Sequence, residues 1–308
     1  MRRLISTAGM VVLLLATGVS VHGRRAAAPD PRTNQRSAEP SAAVLRRLVT
    51  FGGVERDYFV RLPQRFDATR TYWLVVAAHG AGGNGRNFFL ASGIRRVADE
   101  QGLDAIVVSP TFSGSDGAAQ QFPSLGEGAL LDAIVADVGR QYSVHPKILL
   151  AGYSRGGQFS HRYCQQSPSR VAACAPFAAG SWTTPDGHVL IQGVGDLADV
   201  AAARTRAEPL VGELTEPRIA AVAWSKAAAG AKAVPFLIMT GTLDPRNQVG
   251  RLFVESLKRN GFSVESVWPI TDHSLADAAP AESAKYAIEA VSFFKKAATS
   301  VQQREHDR

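Results

Sequence analysis

Cysteine is nearly absent from this 308-residue chain, with Cys164 and Cys174 the two examples. A disulfide-stapled miniprotein is thereby excluded, and two thiols without a histidine cluster beside them do not make a zinc site. Charge is sparse too: charged residues are 20% of the chain against 45% apolar, with 28 glycines and 16 prolines. That is ordinary globular usage, which sets aside disorder, collagen and coiled coil. Lysines and arginines are dispersed, with no basic run interleaved with aromatics and no recognised nucleic-acid module. The net charge of +7 therefore gives no case for a nucleic-acid partner. The glycine-rich stretch at 79–85 has neither a Gly-Lys-Ser/Thr ending nor Gly-x-Gly-x-x-Gly spacing, so it is not read as a phosphate cradle. There is no internal repeat, and the length suits one large domain or two small ones.

The N-terminus has its own logic. Arg2 and Arg3 precede an uncharged run from Leu4 to Val21, and small residues follow. This is the pattern of a secretory signal, expected over residues 1–28 with cleavage near 23 or 28. Such a chain is secreted or periplasmic; the run touches a membrane only if it is retained as an anchor. Residues 29–42, with Pro29, Pro31 and Pro40, read as a disordered spacer. Cleavage after Ala28 removes four arginines and no acidic residue, lowering the charge from +7 to +3.

From residue 43 to about 300, β-rich runs alternate with helical patterns, the signature of a mostly parallel sheet with helices on both faces. Arg46 to Phe51 and Arg56 to Leu62 flank Gly52-Gly53 as an antiparallel hairpin. Trp73 to Ala78, Ala105 to Ser109, Ile148 to Ala151, Val171 to Ala175 and Pro235 to Met239 are continuous apolar runs, expected of strands buried on both faces. Phe88 to Glu100, Leu130 to Tyr142, Gln158 to Gln166 and Val249 to Asn260 carry helical spacing. A last strand is predicted at Ser263 to Ile270 and a last helix at Ser283 to Ala298, followed by a charged tail at 301–308. Residues 181–234 are too long for a simple crossover, and their alanine-rich stretches predict a helical insertion before the strand at Pro235.

The sharpest local signal is Gly152-Tyr153-Ser154-Arg155-Gly156-Gly157, where a buried strand ends and a helix begins. In that context Gly-x-Ser-x-Gly is a tight turn that exposes a strained serine, and the glycines let strand and helix approach. A serine hydroxyl needs a histidine base oriented by a carboxylate, both following it in chain order. Of seven histidines, His188 and His273 lie after the elbow helix and before the tail; His273 follows the last predicted strand and is preferred. Asp244, at the carboxyl end of the strand Phe236 to Met239, is the preferred acid over Asp272, Asp186 and Asp196. Donors for a developing oxyanion are expected from the amides of Arg155 and Ala81, with Gly80 as the alternative.

These residues resemble the α/β-hydrolases, and within that superfamily the secreted polyhydroxybutyrate depolymerase and feruloyl esterase group. The resemblance spans about Leu45 to Ala298. It rests on His79-Gly80 with the glycines after it, the elbow at 152–157, Gly241-Thr242-Leu243-Asp244 and Asp272-His273-Ser274. It implies a Ser154, Asp244, His273 triad acting on a small-molecule or oligomeric carboxylic ester, of hydroxyalkanoate or feruloyl type. Arg155 is larger and more charged than the residue expected at that elbow position. The acyl-enzyme chemistry calls for no metal and no organic cofactor. A peptidase with the same triad and a non-catalytic binding protein on the same scaffold are the alternatives.

Phe88, Phe112 and Trp182 are each predicted just beyond a strand's carboxyl end, as pocket residues or as caps on the core. Cys164 lies roughly 15 Å along the elbow helix and Cys174 roughly 20 Å back along the next strand, comparable heights. A disulfide and two buried thiols are both open. The oligomeric state is not legible.

Overall fold

A computed structural model describes residues 43–112, 127–191, 218–220, 226–273 and 280–307. The expected signal and spacer at 1–42 lie outside the described residues. Eleven strands are described: β1 (Leu45–Phe51), β2 (Val54–Arg61), β3 (Tyr72–Ala78), β4 (Ala105–Pro110), β5 (Val144–Tyr153), β6 (Val171–Phe177), β7 (Ser181–Thr183), β8 (Val189–Ile191), β9 (Arg218–Ala220), β10 (Phe236–Met239) and β11 (Val264–Val267). The helices are α1 (Gly85–Ala91), α2 (Ile94–Glu100), α3 (Glu127–Gln141), α4 (Arg155–Gln166), α5 (Asn247–Arg259) and α6 (Pro280–His306).

Eight strands form one sheet in the order β1-β2-β4-β3-β5-β6-β10-β11. β2 runs antiparallel to both its neighbours, and every pair from β4 to β11 is parallel. The predicted opening hairpin is present, and Gly52 and Gly53 both take positive φ, 59° and 78°, as a two-residue turn between twisted strands requires.

The apolar runs alternate between two cores. From β3, Leu74 and Val76 face the side packed by Leu131, Ile134, Phe159 and Phe253 of α3, α4 and α5. Trp73, Val75 and Ala77 face Phe89 and Val97 of α1 and α2 and Phe294 of α6. A strand covered on both faces has no polar side, which is why its sequence is continuous rather than alternating.

Three expectations change. Phe88 to Glu100 is two helices rather than one, because Gly93 adopts the left-handed conformation (φ 71°) and starts the second. The predicted helical insertion is, in its described part, a three-stranded antiparallel sheet in the order β7-β8-β9. Trp182, Thr183, Val189 and Ile191 are aromatic or β-branched, and Gly187 (φ 93°) closes the turn between the two strands, so strand preference prevails there over the alanine content of the whole segment. Residues 192–217 and 221–225 lie outside the described residues. The charged tail is the end of α6, since Gln302, Gln303 and Arg304 are good helix formers that extend it to His306. Among the described residues no helix is long and apolar enough to cross a membrane.

Beneath α2, the nearly buried Arg61 pairs with Asp99 and donates to the Arg95 carbonyl at 3.2 Å. Removing one partner of a buried pair leaves an uncompensated charge. Asp99→Ala is expected to lower stability to chemical denaturation by about 3 kcal/mol, and pairing Arg61→Met with Asp99→Leu to recover much of that loss.

Candidate active site

The site is assembled at the carboxyl ends of β3, β5, β10 and the loop after β11. Ser154 sits between β5 and α4 with φ 51° and ψ −110°, a conformation that L residues rarely adopt. Its amide donates to the Phe177 carbonyl of β6 at 2.9 Å, and its carbonyl accepts from Gln158 at the same distance. The flanking glycines are required by space rather than by φ. A Cβ on Gly152 would lie 2.2 Å from the Gly156 carbonyl oxygen, and one on Gly156 would lie 2.1 Å from that of Ala78. α4 is thus laid against β3 and β5 with no room for a methyl group.

His273 reaches this serine from the loop after β11. Ser154 Oγ lies 3.1 Å from His273 Nε2, and His273 Nδ1 lies 2.7 Å from Asp244 Oδ2. The partners set the tautomer: Nδ1–H donates to the carboxylate, and Nε2 accepts from the hydroxyl. Asp244 has no exposed side-chain area, whereas His273 is 29% exposed. Burial by itself would raise the carboxyl pKa of Asp244. The hydrogen bond from His273, the charge that ring carries when protonated, and the Arg246 amide at 2.9 Å with its guanidinium outweigh burial and hold it below the usual value. Asp244 is therefore ionised at neutral pH and oriented at both oxygens.

The loops bearing Asp244 and His273 are bound to each other. Thr242 N donates to the Pro269 carbonyl at 2.7 Å and Leu243 N to that of Thr271 at 3.0 Å. A Cβ on Gly241 would lie 2.0 Å from the Thr271 oxygen, so glycine is what permits this contact. Leu243 and Ile270, 65% and 80% exposed, are left on the outer surface of the same loops.

On the other flank, Gly83 N bonds the Gly80 carbonyl at 3.2 Å and closes a turn after β3. A Cβ on Gly80 would lie 3.5 Å from the Ser154 Cβ, so this turn lies directly beside the serine; Ala81 is exposed next to it, and Arg155 opens α4. His79 fastens the turn from behind: Nδ1–H donates to the Gly80 carbonyl at 2.7 Å, and Nε2 accepts the Phe112 amide at 3.0 Å. Burial first, and the charge of Arg155 with it, lower the His79 pKa, so the ring stays neutral and keeps both bonds.

Sequence reasoning missed His79, Tyr153 and Arg246 as supports, though each stands inside or beside a quoted motif. His188 pairs with Asp186 at 3.0 Å on the β7–β8 turn rather than with Ser154. The aromatic residues expected on the rim are buried. Trp182 is wholly enclosed against His161 and Phe253, because β7 belongs to the small sheet and its side chain turns into the core. Phe88 stacks on Tyr153 and Phe177, and Phe112 packs at a tilt against Phe159. Cys164 and Cys174 are free buried thiols in contact with each other, and burial followed by the neighbouring thiol raises the Cys174 pKa. Among the described residues no cluster of His, Cys, Asp or Glu is arranged to hold a metal ion.

Gly156→Ala tests the close approach. It is expected to cost about 3 kcal/mol or more in denaturant melts, since strand and helix must separate. Gly82→Ala, at φ 69° but with open space around it, is expected to cost only about 1–2 kcal/mol.

No protein-family model and no curated protein matches the chain. Solved structures do. The fluorophosphonate-binding serine hydrolase F of Staphylococcus aureus, with substrate bound, superposes with a TM-score of 0.57 at 14% identity over 82% of this chain and 97% of that one. A ferulic acid esterase gives 0.58 at 18% identity over 79% and 95%. The feruloyl esterase module from Clostridium thermocellum gives 0.54 at 17% identity over 86% and 92%. Sheet order, the strained elbow at Ser154 and these superpositions converge on one architecture: the chain has the α/β-hydrolase fold.

Proposed function

We propose that the protein is a serine hydrolase cleaving carboxylic esters through an acyl-enzyme. The observation that carries this reading is the continuous relay from Ser154 Oγ to His273 Nε2 and from His273 Nδ1 to Asp244 Oδ2. Ser154 attacks the ester carbonyl while His273 takes its proton, and Asp244 holds the imidazole and stabilises the imidazolium. The oxyanion is received by the Arg155 amide together with one from the Gly80–Ala81 turn. His273 returns the proton to the leaving alcohol, then activates water to release the acid and regenerate Ser154.

The substrate class is a small or oligomeric ester with an apolar portion, of feruloyl or hydroxyalkanoate type. Leu243 and Ile270 offer apolar surface beside the acid and histidine, and two of the structural neighbours are a ferulic acid esterase and a feruloyl esterase module. The protein acts outside the cytoplasm after removal of residues 1–28, a reading supported by the Arg2-Arg3 start and the uncharged run behind it.

Ser154→Ala is expected to abolish both hydrolysis of a short-acyl p-nitrophenyl ester and labelling by a fluorophosphonate. Asp244→Asn is expected to lower kcat by about three to four orders of magnitude, as loss of the correct histidine tautomer does. Undiminished turnover in Ser154→Ala would overturn the proposal, and a panel with peptides cleaved but esters spared would reassign the substrate. Export is checked by N-terminal sequencing of protein recovered outside the cytoplasm, with a start near residue 24 or 29 expected.

A further inference from the structure

Tyr153 stands immediately before Ser154, and its side chain is buried. Its ring centroid is 5.6 Å from that of His273 and 5.7 Å from that of Phe177, and Phe88 stacks on it at 6.2 Å with planes 12° apart. A Cβ on Gly80 would lie 2.9 Å from the Tyr153 Cδ1, so the ring also lies against the turn beside the serine. Its hydroxyl donates to the main-chain carbonyl of His273 at 2.5 Å.

Tyr153 therefore belongs to the segment that carries the serine and touches the two others whose placement the reaction needs, the Gly80 turn and the His273 loop. β11 ends at Val267, and the bonds from Thr242 and Leu243 secure the following loop as far as Thr271. Tyr153 carries that hold two residues further, onto His273 itself. The imidazole has its own bonds to Asp244 and Ser154, but these orient a ring whose main chain must already be in place.

We propose that Tyr153 is a positioning residue for the ester hydrolysis, its hydroxyl fixing the His273 main chain and its ring supporting the Gly80 turn. The inference rests on the Ser154, His273, Asp244 reading above, and it assigns Tyr153 no proton transfer and no contact with substrate. Small misplacements of a general base reduce rate steeply, and loss of a single neutral hydrogen bond shifts an equilibrium by up to about tenfold.

The test uses the full chain and a short-acyl p-nitrophenyl ester, with rates expressed per serine titrated by a fluorophosphonate. Tyr153→Phe keeps the ring and removes the donor; kcat per site is expected to fall about tenfold with KM unchanged. Replacing Tyr153 with 4-aminophenylalanine, which restores a donor at the ring's end, is expected to recover most of that loss. Tyr153→Leu removes ring and donor, and should fall below Tyr153→Phe.

Wild-type kcat per site in Tyr153→Phe would overturn the proposal. So would a loss confined to the number of titratable sites, which marks a purely structural role, or one confined to KM, which marks a substrate contact. Failure of 4-aminophenylalanine to recover activity would also overturn it. These outcomes leave the esterase reading standing; that reading falls separately, if Ser154→Ala still turns over the ester.

Discussion

The rest of the site depends on the distance between a helix and the strands beneath it. Gly156 of α4 lies against the Ala78 and His79 carbonyls, and Gly152 of β5 against Gly156, at separations that admit no Cβ. Only this approach brings the start of α4 onto the sheet directly from the end of β5, and the serine between them is left at φ 51° as a result. Strain at one residue persists because buried elements on every side fix the backbone around it. Leu149 and Ala151 face one core while Leu150 faces the other, so β5 cannot slip to relieve it.

A second close approach, at Gly241 against Thr271, does the same for Asp244 and His273. Two loops that follow adjacent parallel strands are bonded main chain to main chain, which lets a wholly buried carboxylate meet a partly exposed imidazole. The electrostatics follow from that placement. Asp244 keeps its charge in a buried setting because two donors, the His273 ring and the Arg246 amide, are already aimed at it. On the far flank burial, with the charge of Arg155, lowers the His79 pKa, and the neutral ring then donates to one main-chain group and accepts from another. Two buried titratable groups thus hold different charge states, Asp244 because its hydrogen bonds outweigh burial and His79 because burial prevails.

Much of this was legible in the sequence because it is encoded locally. Trp73 to Ala78 reads as a buried strand from composition alone, and the elbow reads from two glycines around a serine at a strand-to-helix junction. Asp244 and His273 could be chosen by chain order and by their places after predicted strands. What was not legible depends on tertiary context. Gly93 inside a helical pattern gives no sign by itself of whether the helix bends or breaks. Trp182 follows a strand of the main sheet, but it belongs to a small separate sheet, and nothing local reveals that its ring turns inward. The supporting parts of Tyr153 and His79 arise from contacts with residues far along the chain, His273 for one and Phe112 for the other.

The amide of Ser154 is bonded to Phe177, and that bond has a consequence for how the activity could be lost or tuned. An amide committed to the neighbouring strand cannot also turn toward a substrate oxygen, and the proposed mechanism draws its donors instead from Arg155 on one side and from the turn after β3 on the other. In that proposed mechanism the electrophilic half of the reaction is divided between two segments that meet only when β3 and β5 are in register. A substitution deep in that strand pair, far from any ionisable group, would lower turnover while leaving the pH profile and the reactive serine's chemistry as they were. Natural variation in rate within such a scaffold has a route that passes through sheet packing alone.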